Sequence, residues 1–446
     1  MTANKELYIK TYGCQMNVYD TERMKELFIP YGYQINDKTY NQADLVILNT
    51  CHIREKAAEK IYSELGRIKK QKDLRAKEGK KMYITVAGCV AQAEGKQIIK
   101  RAPYVDFVVG PQSYHTLPAL IKSKEENGQK EKVKLDFIEE EKFDKLNSNR
   151  ELNNISAFLS IQEGCDKFCT YCVVPYTRGA EFSRPVSAIL DEAKQLVDKG
   201  AKEIYLLGQN VNAYHGIDEK GKTSNLGKLI FALEKIDGIK RIRYTTSHPN
   251  DMHDDLYEAH AISKKLMPYL HLPIQSGSNR ILEKMNRKHD SEKYLRIIEK
   301  LRIARSDIAF SSDFIVGFPG ETNSDFQDTL DIIKEVKYSG CYSFKYSKRP
   351  GTPAELYDNQ VSEDIKSERL KILQDLLSSQ QYEFNKKFED KQMEVLFEKK
   401  INNQIIARSE YLQPVNLPID ICNDKVVKVK IIKANPHSLN AELIND

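Results

Sequence analysis

Tryptophan is absent from this chain, and no apolar stretch approaches the roughly 20 residues that a bilayer-spanning helix requires. The first absence decides nothing; the second argues against a helical membrane anchor. The opening MTANKELYIK is too polar for a secretory signal, so the expected setting is the cytoplasm, with no membrane partner. Cysteine is sparse. Eight thiols in 446 residues do not make a disulfide scaffold, and cytosolic thiols fit metal ligation better. Neither sign of charge dominates: the net +5 permits nucleic-acid binding without arguing for it. Internal repeats and low-complexity tracts are also missing. What remains, 40% hydrophobic and 30% charged, is a globular composition long enough for two or three domains, each with its own core.

Three of the cysteines stand together. Cys165, Cys169 and Cys172 form a Cys-x-x-x-Cys-x-x-Cys run, GCDKFCTYC, directly after the strand-like segment AFLSIQEG. Three thiolates at this spacing suit three irons of a cubane iron–sulfur cluster and leave the fourth without a protein ligand. An open iron can take a chelating small molecule, so the motif suggests chemistry rather than electron storage. A structural zinc site usually wants four ligands, often two separated Cys-x-x-Cys pairs, and there is no second pair.

The pattern along the chain is α/β. From 1 to 121, the runs LYIKTYGC, LVILNTC, MYITVAGC and FVVGP alternate with helical sequence. REKAAEKIYSELGRIKK puts Ala57, Ile61, Leu65 and Ile68 on one stripe. A doubly wound parallel sheet follows from such alternation. Residues 122–154 are dense in charge and amide and read as a solvated linker or an excursion over the surface. From 155 to 384 come six strand-like runs separated by helices, as in a partial or full β/α barrel, closed by a long helix with Leu370, Leu373 and Leu377 on its apolar face. From 385 to 446 the sequence turns to short strands, as in a small β-barrel.

Cys14, Cys51 and Cys89 lie far apart, yet each falls just past a predicted strand of the first sheet. In a doubly wound sheet those ends share one edge, where ligands collect. A second cubane with one open iron is the favoured reading; three separately buried free cysteines are the alternative. Cys341 and Cys422 have no such partners and read as structural.

The segments TYGCQMN, NTCHIREKAAEKIY, AGCVAQ, GCDKFCTYCVVPYTRGAEFSRP, LLGQNVNAY, HLPIQSGSNRILEKMNR, DFIVGFPGET and YSKRPGTPA resemble the methylthiotransferases of the radical S-adenosylmethionine (SAM) superfamily over nearly the whole chain. REKAAEK, CVVPYTRG and GQNVNAY favour the tRNA-modifying branch that acts on isopentenyladenosine. The resemblance implies an N-terminal methylthiotransferase cluster domain, a radical SAM core and a C-terminal TRAM domain for RNA. It implies two 4Fe-4S clusters and SAM. The Cys165/Cys169/Cys172 cluster would bind SAM and generate the radical; the Cys14/Cys51/Cys89 cluster would present sulfur and receive the methyl group. The implied substrate is the isopentenylated adenosine just 3′ of the anticodon, in a tRNA anticodon stem-loop. Other implied partners are a reducing donor such as flavodoxin or ferredoxin and a sulfur source, with the enzyme a monomer. Related branches modify a ribosomal-protein aspartate or threonylcarbamoyladenosine in tRNA. From another class, a non-catalytic iron–sulfur electron carrier or RNA-docking protein remains the competing reading.

Single residues carry less. Phe168 and Tyr171 inside the cysteine loop either pack on the adenine of SAM or shield the cluster, or simply fill the loop. Gln209, Ser247, Gln275 and Ser276 follow predicted barrel strands, where they bond SAM or the nucleoside, or else cap a neighbouring helix. Gly317 and Gly320 permit a close backbone approach, by a cofactor edge or in a tight strand-to-helix turn. Asn17 is a bond donor near the first cluster or a turn residue. Arg178, Arg184 and Arg349 are candidates for phosphates or the SAM carboxylate. His52, beside Cys51, is not needed as a ligand. Lys425, Lys428, Lys430 and Lys433 punctuate the last strand; Lys428 and Lys430 share a face, as a phosphate track or a solvated edge.

Overall fold

A computed structural model describes residues 5–52, 57–128, 132–136, 142–143, 150, 155–401, 404–418 and 426–444, with backbone alone at 57 and 58. Cys422, Lys425 and the predicted helix start at 54–56 lie outside the described residues. Two compact units emerge. The first comprises residues 1–151, 163–166 and 172–182; the second comprises 152–162, 167–171 and 183–446.

The first unit is built on a parallel sheet of β1 (Lys5–Thr11), β2 (Tyr33–Ile35), β3 (Leu45–Thr50), β4 (Tyr83–Gly88), β5 (Phe107–Val109) and β6 (Val133–Lys134). Their order across the sheet is β2-β1-β3-β4-β5-β6. β3 reads LVILNT, apolar without alternation, because both of its faces are covered. Its Val46 and Leu48 enter one core with Ile61, Leu65 and Ile68 of the helix Ala57–Lys77. Its Leu45 and Ile47 enter the opposite core with Met24 and Phe28 of the helix Gln15–Phe28. The doubly wound expectation holds, with two short strands, β2 and β6, added to it.

β6 corrects the reading of 122–154 as solvated throughout. Val133 and Lys134 extend the sheet edge by pairing with Val108 and Val109. Lys142 and Arg150 are among the most deeply buried side chains in the chain. Charge density made this stretch look like a linker, but part of the charge is consumed in buried ion pairs.

The second unit opens with six parallel strands: Ser156–Ser160, Glu203–Leu207, Arg241–Tyr244, Tyr269–His271, Ala309–Val316 and Gly340–Lys345. They pair as two three-stranded sheets, linked by a parallel bridge from Ile242 to Leu266. The result is a six-stranded open arc, with its apolar core against the outer helices. The helix Glu363–Lys386 buries Leu373 and Leu377 against that core, and Leu370 packs at its margin. A closed five-stranded barrel of Gln392–Ile401, Gln404–Arg408, Pro414–Leu417, Val426–Ala434 and Leu439–Leu443 completes the chain.

Two arginines fix this small barrel to the arc. Arg241 donates to the carbonyls of Glu394 and Arg408, and Arg243 to those of Ser409 and Glu410. Arg243 is itself held by Glu203 at 2.6 Å. Burial alone would raise the Glu203 pKa, but the Arg243 guanidinium holds the carboxyl below its usual range.

Candidate metal centre and cofactor site

Cys14, Cys51 and Cys89 meet at the carboxyl edge of the first sheet because their strands end in register. Cys14 follows β1 through Gly13 and caps the helix Gln15–Phe28; Cys51 directly follows β3; Cys89 directly follows β4 and begins the helix Cys89–Glu94. The chain has no room to spare here. A Cβ on Gly13 would stand 2.3 Å from the Cys51 Cβ, and one on Gly88 would stand 2.4 Å from the Thr50 carbonyl. Both glycines have positive φ, +128° and +89°. Asn17 braces the group. It accepts from the Cys14 N–H and thiol at 3.4 Å and donates to the Thr50 carbonyl at 3.1 Å, beside Cys51. The fully buried Asn17 thus closes the capping box of its own helix and at the same time ties Cys14 to the end of β3.

Two of the three thiols are shifted in opposite directions. A hydrogen bond with Cys51, aided by the Arg178 charge and by backbone N–H groups, lowers the Cys14 pKa to about 6. Burial raises that of Cys89, although Arg178 opposes it. Arg178 therefore belongs here, and not to a phosphate or a SAM carboxylate. Its guanidinium bonds Asp20 at 2.7 Å and stands 3.7 Å from Glu163. Lys142 completes the quartet, at 3.3 Å from Asp20 and 2.5 Å from Glu163. All four are almost wholly buried. Arg184 is likewise committed elsewhere, to Glu192 and the Ser160 carbonyl. Arg349 is half-buried past the sixth arc strand.

Among the described residues, no three Cys, His, Asp or Glu side chains stand close enough to share one metal ion. A single-ion site such as zinc needs that convergence; a cubane does not, because each thiolate takes its own iron. The donor set at the sheet edge fits a cluster on two counts: thiols only, and beside them the buried cation Arg178, whose Nη1 has no hydrogen-bond partner.

Of the second cysteine set, Cys165 and Cys172 are half-buried and Cys169 is buried. Arg287 Nη1 lies 3.5 Å from the Cys169 sulfur, and its Nη2 bonds the Pro273 carbonyl at 2.6 Å. The adjacent Phe168 is exposed, with φ at +48°; its carbonyl accepts from Asn286. Thr170 is tied to Lys284 and Met285. The loop is thus pinned by its backbone, leaving the aromatic face outward. Tyr171 packs against a small cluster around Phe318 and Tyr346.

The arc offers a further test of fit. Six buried polar atoms without a hydrogen-bond partner gather at or just beyond the carboxyl ends of its strands: Ser160 Oγ, Asn210 Oδ1, Ser247 Oγ, His248 Nε2, Tyr346 OH and Ser347 Oγ. Such orphans are uncommon in folded interiors, and this end of a β/α barrel is where ligands bind. His248 is held neutral by burial and by the charge of Arg287. Its Nδ1 accepts from the Asn250 N–H, so Nε2 carries the proton and is a donor.

The remaining candidates divide. Ser247 is among the orphans. Gln209 is half-buried, its backbone N–H bound to the Gln162 side chain. Gln275 adopts φ +81° and bridges to Phe314. Ser276 is fully buried, with its hydroxyl engaged by Thr329 and the Ser278 N–H, while the cap of the following helix is Ser278. At Gly317 and Gly320 a Cβ would meet the chain's own Lys366 and Lys284, and both glycines have positive φ, as a tight turn requires. Asp20, Lys142, Glu163 and Arg287 carried no sequence signal as site residues; Arg178 was a sequence candidate, but for a phosphate or the SAM carboxylate rather than for the sheet-edge thiols.

Three family models match the chain: Uncharacterized protein family UPF0004 over residues 6–110, the Radical SAM superfamily over 159–333 and the TRAM domain over 386–444. A tRNA-2-methylthio-N(6)-dimethylallyladenosine synthase of Rickettsia canadensis (strain McKiel) is 58% identical over 446 residues, covering 99% of both chains. One of the same name from Rickettsia prowazekii (strain Madrid E) is 56% identical, covering 99% of this chain and all of that one. The chain belongs to the tRNA-2-methylthio-N(6)-dimethylallyladenosine synthase family. As a member of this radical SAM family, it is a methylthiotransferase by class, and the family implies a 4Fe-4S cluster and SAM. A solved structure of the radical S-adenosylmethionine methyltransferase TsrM from Kitasatospora setae shares the fold, with a TM-score of 0.57 and 12% identity over 80% of this chain and 77% of that one. Within the synthase family the two ends of the chain also fall into place: Cys14, Cys51 and Cys89 lie in the first matched region and the closed barrel in the third. Among the described residues, no helix is long and apolar enough to cross a membrane.

Proposed function

We propose that this chain methylthiolates tRNA, converting the N6-isopentenyladenosine just 3′ of the anticodon to its 2-methylthio derivative. Full-length identity of 58% to a synthase named for this product carries the reading. When bound, SAM and two iron–sulfur clusters supply the radical, the sulfur and the methyl group. Cys165, Cys169 and Cys172 are the ligands for the SAM-binding cluster, with Arg287 against the Cys169 sulfur. Cys14, Cys51 and Cys89 hold the second cluster, and Asn17 fixes the Cys14 thiol relative to Cys51. Ser247, the Nε2–H of His248 and Gln209 are the polar groups for SAM and the nucleoside, while exposed Phe168 contributes an aromatic face. Gln275, Gly317 and Gly320 shape the surrounding turns.

The functional division of the chain is a cluster domain at 1–121, a radical SAM core at 155–384 and an RNA-binding module at 385–446. In that module Lys428 and Lys430 project outward from Val426–Ala434, whose Val429 and Ile431 fill the barrel core. They form a short phosphate track for the anticodon stem-loop. Lys430 also stands 3.5 Å from Asp390, so this track is weaker than a pair of free lysines would be. A flavodoxin- or ferredoxin-like donor provides electrons, and the reaction needs an external sulfur source.

Mass spectrometry of bulk tRNA tests the assignment. A deletion strain should lose 2-methylthio-N6-isopentenyladenosine and accumulate N6-isopentenyladenosine; unchanged product would refute it. Reconstituted, reduced protein should also release 5′-deoxyadenosine from SAM under anaerobic conditions, as a simple iron–sulfur carrier would not.

A further inference from the structure

We propose that Arg178 is a positioning residue for the cluster of Cys14, Cys51 and Cys89: its buried guanidinium donates a hydrogen bond to sulfur at Cys89 and sets the cluster's reduction potential. The proposal rests on the second-cluster reading. Its geometry comes from three sides. The helix Val174–Arg178 packs against the helix Cys89–Glu94, which begins with the Cys89 thiol. Gln112 donates to the Arg178 carbonyl at 3.0 Å and fixes the helix end. Arg178 Nη2 is bound to Asp20, which locks the plane of the guanidinium and leaves Nη1 buried without a hydrogen-bond partner.

A purely structural arginine would finish its bonding on the carboxylates beside it. Glu163 has an oxygen, Oε2, with no hydrogen-bond partner, yet Nη1 stays 3.7 Å from the other one and bonds neither. Lys142 serves Glu163 instead. The quartet pairs two carboxylates with two cations and balances without help from solvent. The unused Nη1 donor is thereby left for a further acceptor, and the Cys89 thiol begins the helix that packs against its own. Arginine suits this position better than lysine because its planar fork holds a carboxylate with one nitrogen while presenting another elsewhere.

The physical consequence is a potential. Hydrogen bonds to cluster sulfurs and local net charge are two of the means by which a protein sets reduction potential. Reduction adds an electron to a cluster already carrying thiolate charge. A buried cation stabilises the reduced form, and deleting it leaves Asp20 and Glu163 facing Lys142 alone. Arg178→Gln should therefore make the cluster harder to reduce by at least tenfold in the reduction equilibrium, ~59 mV for one electron.

The experiment uses full-length protein in which Cys165, Cys169 and Cys172 are alanine, so that a single cluster titrates. After anaerobic reconstitution with ferrous iron and sulfide, iron and sulfide contents are measured and an electron-paramagnetic-resonance redox titration is run. Arg178→Gln should retain iron and sulfide with a midpoint more negative by the tenfold step or more. Arg178→Lys, which keeps the charge without the fork, should move the same way by less. An unchanged midpoint in Arg178→Gln overturns the proposal. If that variant takes up no iron, Arg178→Lys decides: a displaced midpoint supports the proposal, and an unchanged midpoint or loss of iron overturns it. Absence of iron from the protein with Arg178 intact would instead sink the second-cluster reading.

Discussion

The two cysteine sets are assembled by opposite means. Cys165, Cys169 and Cys172 are brought together by sequence, within one loop that follows the first strand of the arc. Cys14, Cys51 and Cys89 are brought together by fold, from three parallel strand ends separated by whole helices. The first set needs little beyond a loop of the right length. The second needs β1, β3 and β4 in register, glycine before Cys14 and Cys89, and a buried asparagine and arginine around them. A site made by sequence is sensitive chiefly to its own residues. A site made by fold is also sensitive to residues that never touch the ligand.

The largest effects should separate the two sets by function. Cys169→Ala should abolish 5′-deoxyadenosine release and, with it, all methylthiolated product, because two thiolates hold a cubane poorly. Chromatography of SAM cleavage products reads this directly. Cys51→Ala should leave SAM cleavage within a few-fold of wild type while abolishing the methylthio product in tRNA. Full product formation in Cys51→Ala would erase the distinction between the sets.

The same contrast explains what the sequence could reveal. The triplet was legible from spacing alone. The three strand-end cysteines were legible once β1, β3 and β4 were recognised, since a run such as LVILNTC announces both a buried strand and its carboxyl end. The six arc strands and the terminal barrel were readable from apolar runs and their separators. Lys142 and Arg150 were not. Pattern rules treat charge as solvated, and nothing local reveals that Lys142 meets Glu163 or that Arg150 meets Glu26, 124 residues away in sequence. Ser276 and the two glycines of IVGFPGE follow arc strands as read, and the neighbours that the fold gives them, Thr329, Lys366 and Lys284, had no local signal either. Long-range pairing decided each case.

Asp20 lies behind the fold-made site, and its charge offers the next test. Burial would raise its pKa, but Arg178 and Lys142 override that and hold it below the usual carboxylate range. A depressed folded value contributes stability above the unfolded pKa, and that contribution is lost as pH falls through the folded value. Asp20→Asn should therefore cost the first unit on the order of 3–5 kcal/mol at neutral pH, the range for breaking a buried ion pair. The difference from wild type should shrink below about pH 4, where the wild-type advantage of an ionised Asp20 begins to fail. Thermal melts from pH 3 to pH 7 would check it. A constant difference across that range would show that Asp20 is not ionised in the folded protein.

The smallest predicted effect tests the fold-made site without touching a charge or a thiol. Gly88 has φ +89° and ψ −158°, a backbone region that side chains resist, and a Cβ there would meet the Thr50 carbonyl at 2.4 Å. Gly88→Ala should cost about 1–3 kcal/mol and force β4 to shift against the end of β3. That displaces Cys89 relative to Cys51, while the Cys165–Cys172 loop keeps its own sequence and spacing. Product formation should fall more steeply than 5′-deoxyadenosine release, so that more SAM is cleaved for each tRNA modified. The ratio of the two products, measured in one anaerobic assay, reads this uncoupling independently of how much protein folds. A parallel loss of both products would mean that the sheet edge supports the whole enzyme rather than one of its two cysteine sites.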